Sequence, residues 1–227
     1  MIHIPLVDLR PSSAALQTEL LSDISSLFES AAFINGSHVA TFEDAFARYC
    51  GALECVGVAS GLDALRLALI GCGIESGDDV IIPAQTFVAT VEAVMQSAGR
   101  PVLVDVSEAD YGIDPEAVAA AIGPRTRFLL PVHLFGQLAD MARLTRIANE
   151  HDLVVVEDAC QAHGAERVGH RAGRDGTAGC FSFYPTKNLG AMGDAGAVTT
   201  PDANLAQRLR ALREHGQTAR YIHTYGG

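Results

Sequence analysis

The sequence lacks the features that mark several classes of protein. It has no tryptophan, and none of its five cysteines forms a CxxC pair. An odd number of cysteines without paired spacing is typical of reduced thiols in a cytoplasmic protein, and it argues against a zinc site, so no metal is expected. No apolar run approaches the ~20 residues of a membrane helix. MIHIPLVDLR has no basic region followed by a long apolar core, which predicts no signal peptide and a soluble, cytoplasmic protein.

Positive charge is also scarce. The 227 residues include 16 Lys+Arg against 27 Asp+Glu, for a net charge of −11, and Lys187 is the only lysine. A nucleic-acid partner would require a basic face, so this acidic balance argues against one. A hydrophobic content of 48% excludes a disordered acidic chain and allows a substantial core. The length suits one large domain, or one domain with an incomplete second.

Strand and helix patterns alternate along most of the chain. Predicted strands are 54–60, 78–84, 101–106, 127–133, 153–159, 179–184 and 196–200. Predicted helices are 62–73, 86–99, 114–123, 139–151 and 202–216. This alternation predicts an α/β fold with a mainly parallel sheet and helices on both faces. Residues 1–53 differ, with an arm and helices near 14–30 and 39–50, so we expect one large domain over 54–227.

Polar and aromatic residues follow several predicted strands, where an open parallel sheet binds its ligands. Ser60-Gly61 opens a helix and is either a simple cap or a phosphate cradle. Phe87 is either a core aromatic residue or a plate against a ligand. Asp158 follows a run of valines and either caps a helix or pairs with a buried cation.

Two further groups in the same regions have a structural and a chemical interpretation. In VVVEDACQAHGA, Glu157, Gln161 and His163 lie at or just past a strand end, and His163 by itself is more typical of a satisfied histidine. Ser182 could be an ordinary strand hydroxyl. These residues acquire a chemical meaning only in combination with their neighbours.

Lys187 lies in FSFYPTKNLGAMGDAGAVTT, a proline-broken turn between two apolar runs. A lysine in a rigid turn, a strand-end carboxylate, an aromatic plate and a helix N-terminus are the parts of a pyridoxal phosphate site. The lysine would form a Schiff base with the cofactor, and Asp158 would pair with the pyridinium nitrogen. Pro185 and glycines 190, 193 and 196 would hold the turn and leave the lysine unobstructed.

The sequence resembles the DegT/StrS-type sugar aminotransferases nearly from end to end. The matching segments are IPLVDLR, ASGLDALRLAL, IIPAQTFVATVEAV, PVLVDV, PVHLFGQLADM, VVEDACQAHGA, CFSFYPTKNLGAMGDAGAV and LREHG. The resemblance implies the aspartate-aminotransferase-like fold, called fold type I, with pyridoxal 5'-phosphate as cofactor.

The family's catalytic roles transfer to matching positions. Lys187 would be the Schiff-base lysine and Asp158 the partner of the ring nitrogen. Phe87 would stack on the ring, and Gln161 would lie near its phenolic oxygen. Relatives that dehydrate sugars have histidine in place of this lysine, so Lys187 favours transamination.

The binding roles transfer with two departures. Ser182 and the backbone of Gly61 and Leu62 would hold the phosphate, and Tyr184 would line the sugar pocket. Family members usually have threonine where this chain has Leu62, and glycine where it has Ala195. The first departure removes a hydroxyl, although backbone N–H groups can replace it. The chain also ends at TYGG, so the resemblance implies that the family's small C-terminal domain is absent from this sequence.

The resemblance implies transfer of an amino group from L-glutamate to a keto sugar of a nucleoside-diphosphate sugar. It also implies a homodimer. The IPLVDLR and HLFGQLADM segments favour amination at C3 over C4. An alternative is a truncated, catalytically silent relative that binds cofactor or regulates a partner. A nicotinamide enzyme is disfavoured, because no GxGxxG follows the first strand.

Overall fold

The computed structural model describes residues 4–225. Residues 1–3 and 226–227, which include the start of the predicted arm and the end of the predicted domain, lie outside the described residues. The helices are α1 Arg10–Ser30, α2 Ser37–Cys50, α3 Gly61–Gly71, α4 Val88–Gln96, α5 Pro115–Ala121, α6 Met141–Glu150 and α7 Ala203–Arg213. The strands are β1 Glu54–Val58, β2 Asp79–Pro83, β3 Arg100–Val104, β4 Thr126–Leu129, β5 Val154–Asp158, β6 Glu166–Arg167, β7 His170–Arg171, β8 Ala178–Ser182, β9 Gly196–Thr200, β10 Gln217–Ala219 and β11 Ile222–His223.

Seven of these strands form one sheet in the order β1-β9-β8-β5-β4-β2-β3. The neighbours from β8 to β3 are parallel, whereas β9 is antiparallel to both β1 and β8. The prediction of an α/β fold with a mainly parallel sheet is therefore confirmed. β9 runs the other way because the chain returns from β8 through a loop instead of a crossover helix. The β6–β7 and β10–β11 hairpins were not predicted, because their strands have only two or three residues.

Successive strand residues face opposite layers of helices. On β2, Ile81 belongs to the cluster that includes α5 and α6, while Ile82 belongs to the cluster that includes α3, α4 and α7. On β5, Val155 belongs to the first of these clusters and Val156 to the second. This division explains why the strands are continuously apolar, since both faces of the sheet are covered.

The N-terminal helices differ in how they contact the sheet. Phe46 of α2 packs edge-on against Phe181 and Phe183, with ring centroids 4.9 and 5.2 Å apart. Helix α1 buries none of its residues against the rest of residues 4–225. Within that described range, no helix is long and apolar enough to cross a membrane.

A buried carboxylate at the end of β5 ties three segments together. Glu157 is fully buried and accepts hydrogen bonds from the backbone N–H groups of Gly173 (2.8 Å) and Gly176 (2.6 Å). His133 is also fully buried, and its Nε2 lies 2.8 Å from Glu157 Oε2. Because His133 Nδ1 accepts the N–H of Ala139 (3.2 Å), its Nε2 carries the proton that Glu157 accepts. Glu157 is therefore part of the scaffold.

We predict that Glu157→Gln lowers the free energy of unfolding by about 3 kcal/mol, because an amide NH2 would face donors that have no other acceptor. Urea unfolding followed by circular dichroism measures the change. Glu116→Gln is the matched control, since Glu116 pairs with Arg143 on the surface and its loss should leave the urea midpoint unchanged. Equal midpoints for the two variants would contradict the assignment of Glu157 to the scaffold.

Candidate active site

A cavity of about 440 Å³ opens at the edge of the sheet where β1, β2, β5 and β8 end. Ligands bind at this edge in open parallel sheets. The cavity wall includes all eight predicted site residues, namely Gly61, Leu62, Phe87, Asp158, Gln161, Ser182, Tyr184 and Lys187. The fold thus brings together residues that are up to 126 positions apart in the chain (187 − 61).

The first turn of α3 forms one end of the cavity. The Ser60 side chain caps the helix by accepting the N–H of Asp63 at 3.1 Å, so the cap interpretation holds for Ser60 itself. Within residues 4–225, the N–H groups of Gly61 and Leu62 have no hydrogen-bond acceptor. They lie at the positive end of the helix dipole, where an anion is stabilised.

Gly61 is required by the close approach of α3 to β8. A Cβ at this position would lie 2.6 Å from Ser182 Cβ and 2.9 Å from Cys160 Sγ. Ser182 Oγ accepts the N–H of Tyr184 at 3.3 Å, which leaves the hydroxyl proton free for another acceptor. The free N–H groups and this hydroxyl therefore converge on one end of the cavity.

Asp158 ends β5 and is 6% exposed. Its Oδ2 accepts a hydrogen bond from Thr90 Oγ1 at 2.8 Å, and its Oδ1 accepts the N–H of Cys160 at 3.2 Å. A carboxylate has about four lone-pair sites, so capacity remains for an acceptor role toward the cavity. No basic side chain within residues 4–225 pairs with Asp158. If Asp158 pairs with a buried cation, a ligand would therefore have to supply it.

Gln161 is oriented by the turn at Leu134–Gly136. Its Oε1 accepts the N–H of Phe135 at 2.8 Å. Phe135 has a φ of 55°, in the left-handed region. Because the oxygen is occupied, the NH2 group of Gln161 remains available as a donor to the cavity.

Phe87 is not a core residue. It occupies the N-cap position of α4 and its side chain is 66% exposed on the cavity wall. An aromatic ring in this position offers a flat apolar face to a planar ligand. Tyr184 is also exposed and lines the same cavity as Phe87 and Lys187.

The turn that carries Lys187 is tight. The Lys187 N–H donates to the carbonyl of Tyr184 at 2.8 Å, and the Ala191 N–H donates to the carbonyl of Phe183 at 2.7 Å. A Cβ on Gly190 would overlap the Pro185 carbonyl oxygen. Within residues 4–225, the Lys187 ammonium makes no ion pair, although it lines the cavity and is partly buried.

His163 lies behind the turn, between two aromatic rings. Its ring centroid is 5.5 Å from that of Phe181 and 5.4 Å from that of Phe183, and neither ring nitrogen has a partner within residues 4–225. Burial lowers the pKa of His163, the nearby Ser182 backbone opposes part of this shift, and the positive charge of Lys187 adds a smaller lowering effect. A neutral histidine here packs with the core and does not line the cavity.

The cysteines do not supply a nucleophile. Burial raises the pKa of Cys50 and of Cys72 to about 12 and raises those of Cys55, Cys160 and Cys180 well above the ordinary value. Such thiols are protonated at neutral pH and are poor nucleophiles. Among residues 4–225, no three His, Cys, Asp or Glu side chains are grouped to hold a metal ion.

Sequence reasoning missed several residues of the site. Thr86, Cys160 and Asp194 also line the cavity, and Thr90 lies directly behind Asp158. The two threonines could have been found from their spacing, since hydroxyls four positions apart at the start of a helix lie on one face. No sequence signal points to Asp194.

A larger cavity of about 700 Å³ lies between α2 and the turn that precedes β9. Its wall is mostly apolar, with Val39, Phe42, Phe183 and Leu189 among its residues. It contains neither Lys187 nor Asp158. The groups that could perform chemistry therefore lie in the smaller cavity.

Comparison with known proteins gives a consistent result. A model of the DegT/DnrJ/EryC1/StrS aminotransferase family matches residues 14–227. The dTDP-3-amino-3,4,6-trideoxy-alpha-D-glucose transaminase of Streptomyces venezuelae is 46% identical over 225 residues, which is 99% of this chain and 59% of that protein. The UDP-N-acetyl-3-dehydro-alpha-D-glucosamine 3-aminotransferase of Acidithiobacillus ferrooxidans is 46% identical over 220 residues, which is 97% of this chain and 60% of that protein.

The fold comparison agrees. The crystal structure of S. venezuelae DesV in complex with a ketimine intermediate has a TM-score of 0.97 and 46% sequence identity, and the match covers 100% of this chain and 61% of that chain. The expected fold type I architecture is confirmed by this match. The chain spans about 60% of the length of the relatives it matches. The chain belongs to the DegT/DnrJ/EryC1/StrS aminotransferase family.

Proposed function

We propose that this protein is a pyridoxal-phosphate-dependent aminotransferase that moves an amino group from L-glutamate to the keto group of a nucleoside-diphosphate sugar. The observation that carries the proposal is the meeting of a lysine, a buried carboxylate and a free helix N-terminus in one cavity of about 440 Å³. These three elements match the aldehyde, the ring nitrogen and the phosphate of the cofactor. The silent or regulatory alternative is not favoured, because both relatives named above are aminotransferases.

The residues at the α3 end of the cavity fit a phosphate group. The N–H groups of Gly61 and Leu62 and the hydroxyl of Ser182 would donate to its oxygens. Leu62 contributes through its backbone, so the absence of a threonine hydroxyl at this position does not remove the cradle. The missing Cβ of Gly61 keeps the helix close enough to Ser182 for both to reach one phosphate.

The residues in the middle of the cavity fit the cofactor ring. Phe87 would cover one face, Asp158 would accept a hydrogen bond from the protonated ring nitrogen, and the NH2 group of Gln161 would donate to the phenolic oxygen. When bound, the cofactor supplies an aldehyde that exchanges amino groups and a protonated ring that withdraws electrons. The carboxylate of Asp158 stabilises that ring proton by its charge.

Lys187 would have two roles. At rest it would hold the cofactor covalently through Nζ. When it is free, its amine would hold and move a proton during amino transfer. Lysine suits both roles because, unlike arginine, its side chain can lose its proton in a partly dry site.

The position of amination is proposed as C3. Both relatives reported above are named for amino transfer at C3 of a nucleotide sugar. Tyr184, exposed on the cavity wall next to the lysine, is proposed to contact the sugar. A 4-keto sugar is the competing substrate in the test below.

A homodimer is proposed to complete the site. Lys187 is the only basic residue lining the cavity among residues 4–225, so a nucleoside diphosphate would need further positive charge from outside these residues. Exposed apolar side chains also line the cavity, including Phe87 (66%) and Val88 (55%). The free thiols fit a reducing compartment, and we propose that the protein acts in the cytoplasm.

We also propose that 54–227 is the cofactor-binding domain and that 1–53 is an N-terminal extension to it.

We predict that borohydride reduction in the presence of pyridoxal phosphate attaches one cofactor to the wild-type protein, at Lys187. Because the chain has one lysine, peptide mass mapping assigns the label without ambiguity. Lys187→Arg keeps the positive charge but should take up no label, since a guanidinium does not form a Schiff base.

Wild-type protein unfolded in urea is the control for non-specific labelling of the amino terminus. A label on the amino terminus of the folded protein, or equal labelling of the wild type and Lys187→Arg, would contradict the role of Lys187.

We predict that the protein loaded with cofactor and pre-aminated by L-glutamate transfers the amino group to a nucleotide-linked 3-keto sugar with a kcat/KM at least about tenfold above that for the matched 4-keto sugar. A factor of ten corresponds to about 1.4 kcal/mol of transition-state discrimination. Mass spectrometry of the sugar product measures it. Preference for the 4-keto sugar would overturn the C3 assignment, and no amination by L-glutamate would overturn the proposed function.

A further inference from the structure

A chain of hydroxyl groups leads to Asp158 from the helix beside it. Thr86 Oγ1 lies 2.7 Å from Thr90 Oγ1, which lies 2.8 Å from Asp158 Oδ2. Thr90 is fully buried and does not line the cavity, whereas Thr86 is partly exposed and does. Thr90 can therefore affect a ligand only through Asp158 or through the helix.

The direction of this hydrogen-bond chain follows from the number of protons available. An ionised carboxylate can only accept hydrogen bonds, so Thr90 uses its single hydroxyl proton to donate to Asp158. Thr90 Oγ1 must then accept a hydrogen bond from the Thr86 hydroxyl, because Thr90 has no second proton to donate. The chain thus runs from Thr86 through Thr90 to Asp158, and each member is satisfied.

Thr90 also connects Asp158 to Phe87. The backbone N–H of Thr90 donates to the carbonyl of Phe87 at 3.1 Å, in the first turn of α4. The same residue therefore holds the backbone of the aromatic side chain and the oxygen of the carboxylate. With the Cys160 N–H on Oδ1, both carboxylate oxygens have fixed donors.

We propose that Thr90 is a positioning residue that orients Asp158 toward the ring nitrogen of the cofactor and sets its spacing from Phe87. The inference rests on the proposed function. A hydrogen bond to a charged acceptor in a buried site is strong, and a carboxylate that lost it would rotate or recruit a partner from the cavity. A purely structural role for Thr90 would instead lower stability and leave the bound ring unaffected.

The test compares Thr90→Val, which keeps the shape and removes the hydroxyl, with Thr90→Ser, which keeps the hydroxyl. Thr199→Val is the matched control. Thr199 is also fully buried, and its hydroxyl donates to the Gly173 carbonyl at 2.7 Å, away from the cavity. For each variant we would measure the thermal midpoint without cofactor, the Kd for pyridoxal phosphate, and the protonation of its 15N-labelled ring nitrogen by NMR.

We expect Thr90→Val to raise the Kd about tenfold, the factor that corresponds to loss of about 1.4 kcal/mol. We also expect a smaller protonated fraction of the ring nitrogen. Thr90→Ser should restore both values to within about threefold of the wild type. Thr199→Val should lower the thermal midpoint as much as Thr90→Val does and leave Kd and ring protonation unchanged.

Several outcomes would overturn the proposal. If Thr90→Val binds like the wild type with the same ring protonation, or if Thr199→Val weakens binding equally, Thr90 does not position Asp158. If Thr90→Val fails to fold, Thr86→Val decides, because Thr86 is partly exposed and its loss should raise Kd by about threefold, and an unchanged Kd would contradict the proposal. If the wild type binds no cofactor, the proposed function itself fails.

Discussion

Two consecutive carboxylates at the end of β5 point to opposite faces of the sheet, and the rest of the site depends on this alternation. Glu157 faces the scaffold, where His133 and two backbone N–H groups bind it. Asp158 faces α4 and the cavity, where Thr90 and the Cys160 N–H bind it. Because side chains alternate along a strand, fixing one carboxylate also fixes the direction of the other.

Close backbone packing sets the dimensions of the cavity. The start of α3 approaches β8 at Gly61, and β9 begins against the carbonyl of Ser60 at Gly196, where a Cβ would overlap the backbone. The turn that carries Lys187 connects β8 to β9 and therefore lies between these two contacts. Lys187 therefore lines the same cavity as the first turn of α3 and the strand-end carboxylate of Asp158. The proposed covalent role of the lysine requires this proximity.

The fold and eight of the residues that line the candidate cavity could be predicted from the sequence because strong local signals agree with the family resemblance. Apolar runs such as VVVED mark buried strands, and the carboxyl ends of such strands meet at one edge of the sheet. The direction of β9 could not be predicted, since it depends on how the chain returns from β8. The contact between Thr90 and Asp158, 68 positions apart, also depends on helix placement, and no local pattern encodes it. The exposure of Phe87 was equally open, because an aromatic residue after a strand is as typical of the core.

A crystal structure of the protein grown with pyridoxal phosphate tests the central claim most directly. The account predicts density in the cavity of about 440 Å³, with the phosphate at the N–H groups of Gly61 and Leu62, the ring nitrogen at Asp158, and continuous density to Lys187 Nζ. Density for the cofactor in the larger cavity of about 700 Å³, or a phosphate remote from the first turn of α3, would contradict it.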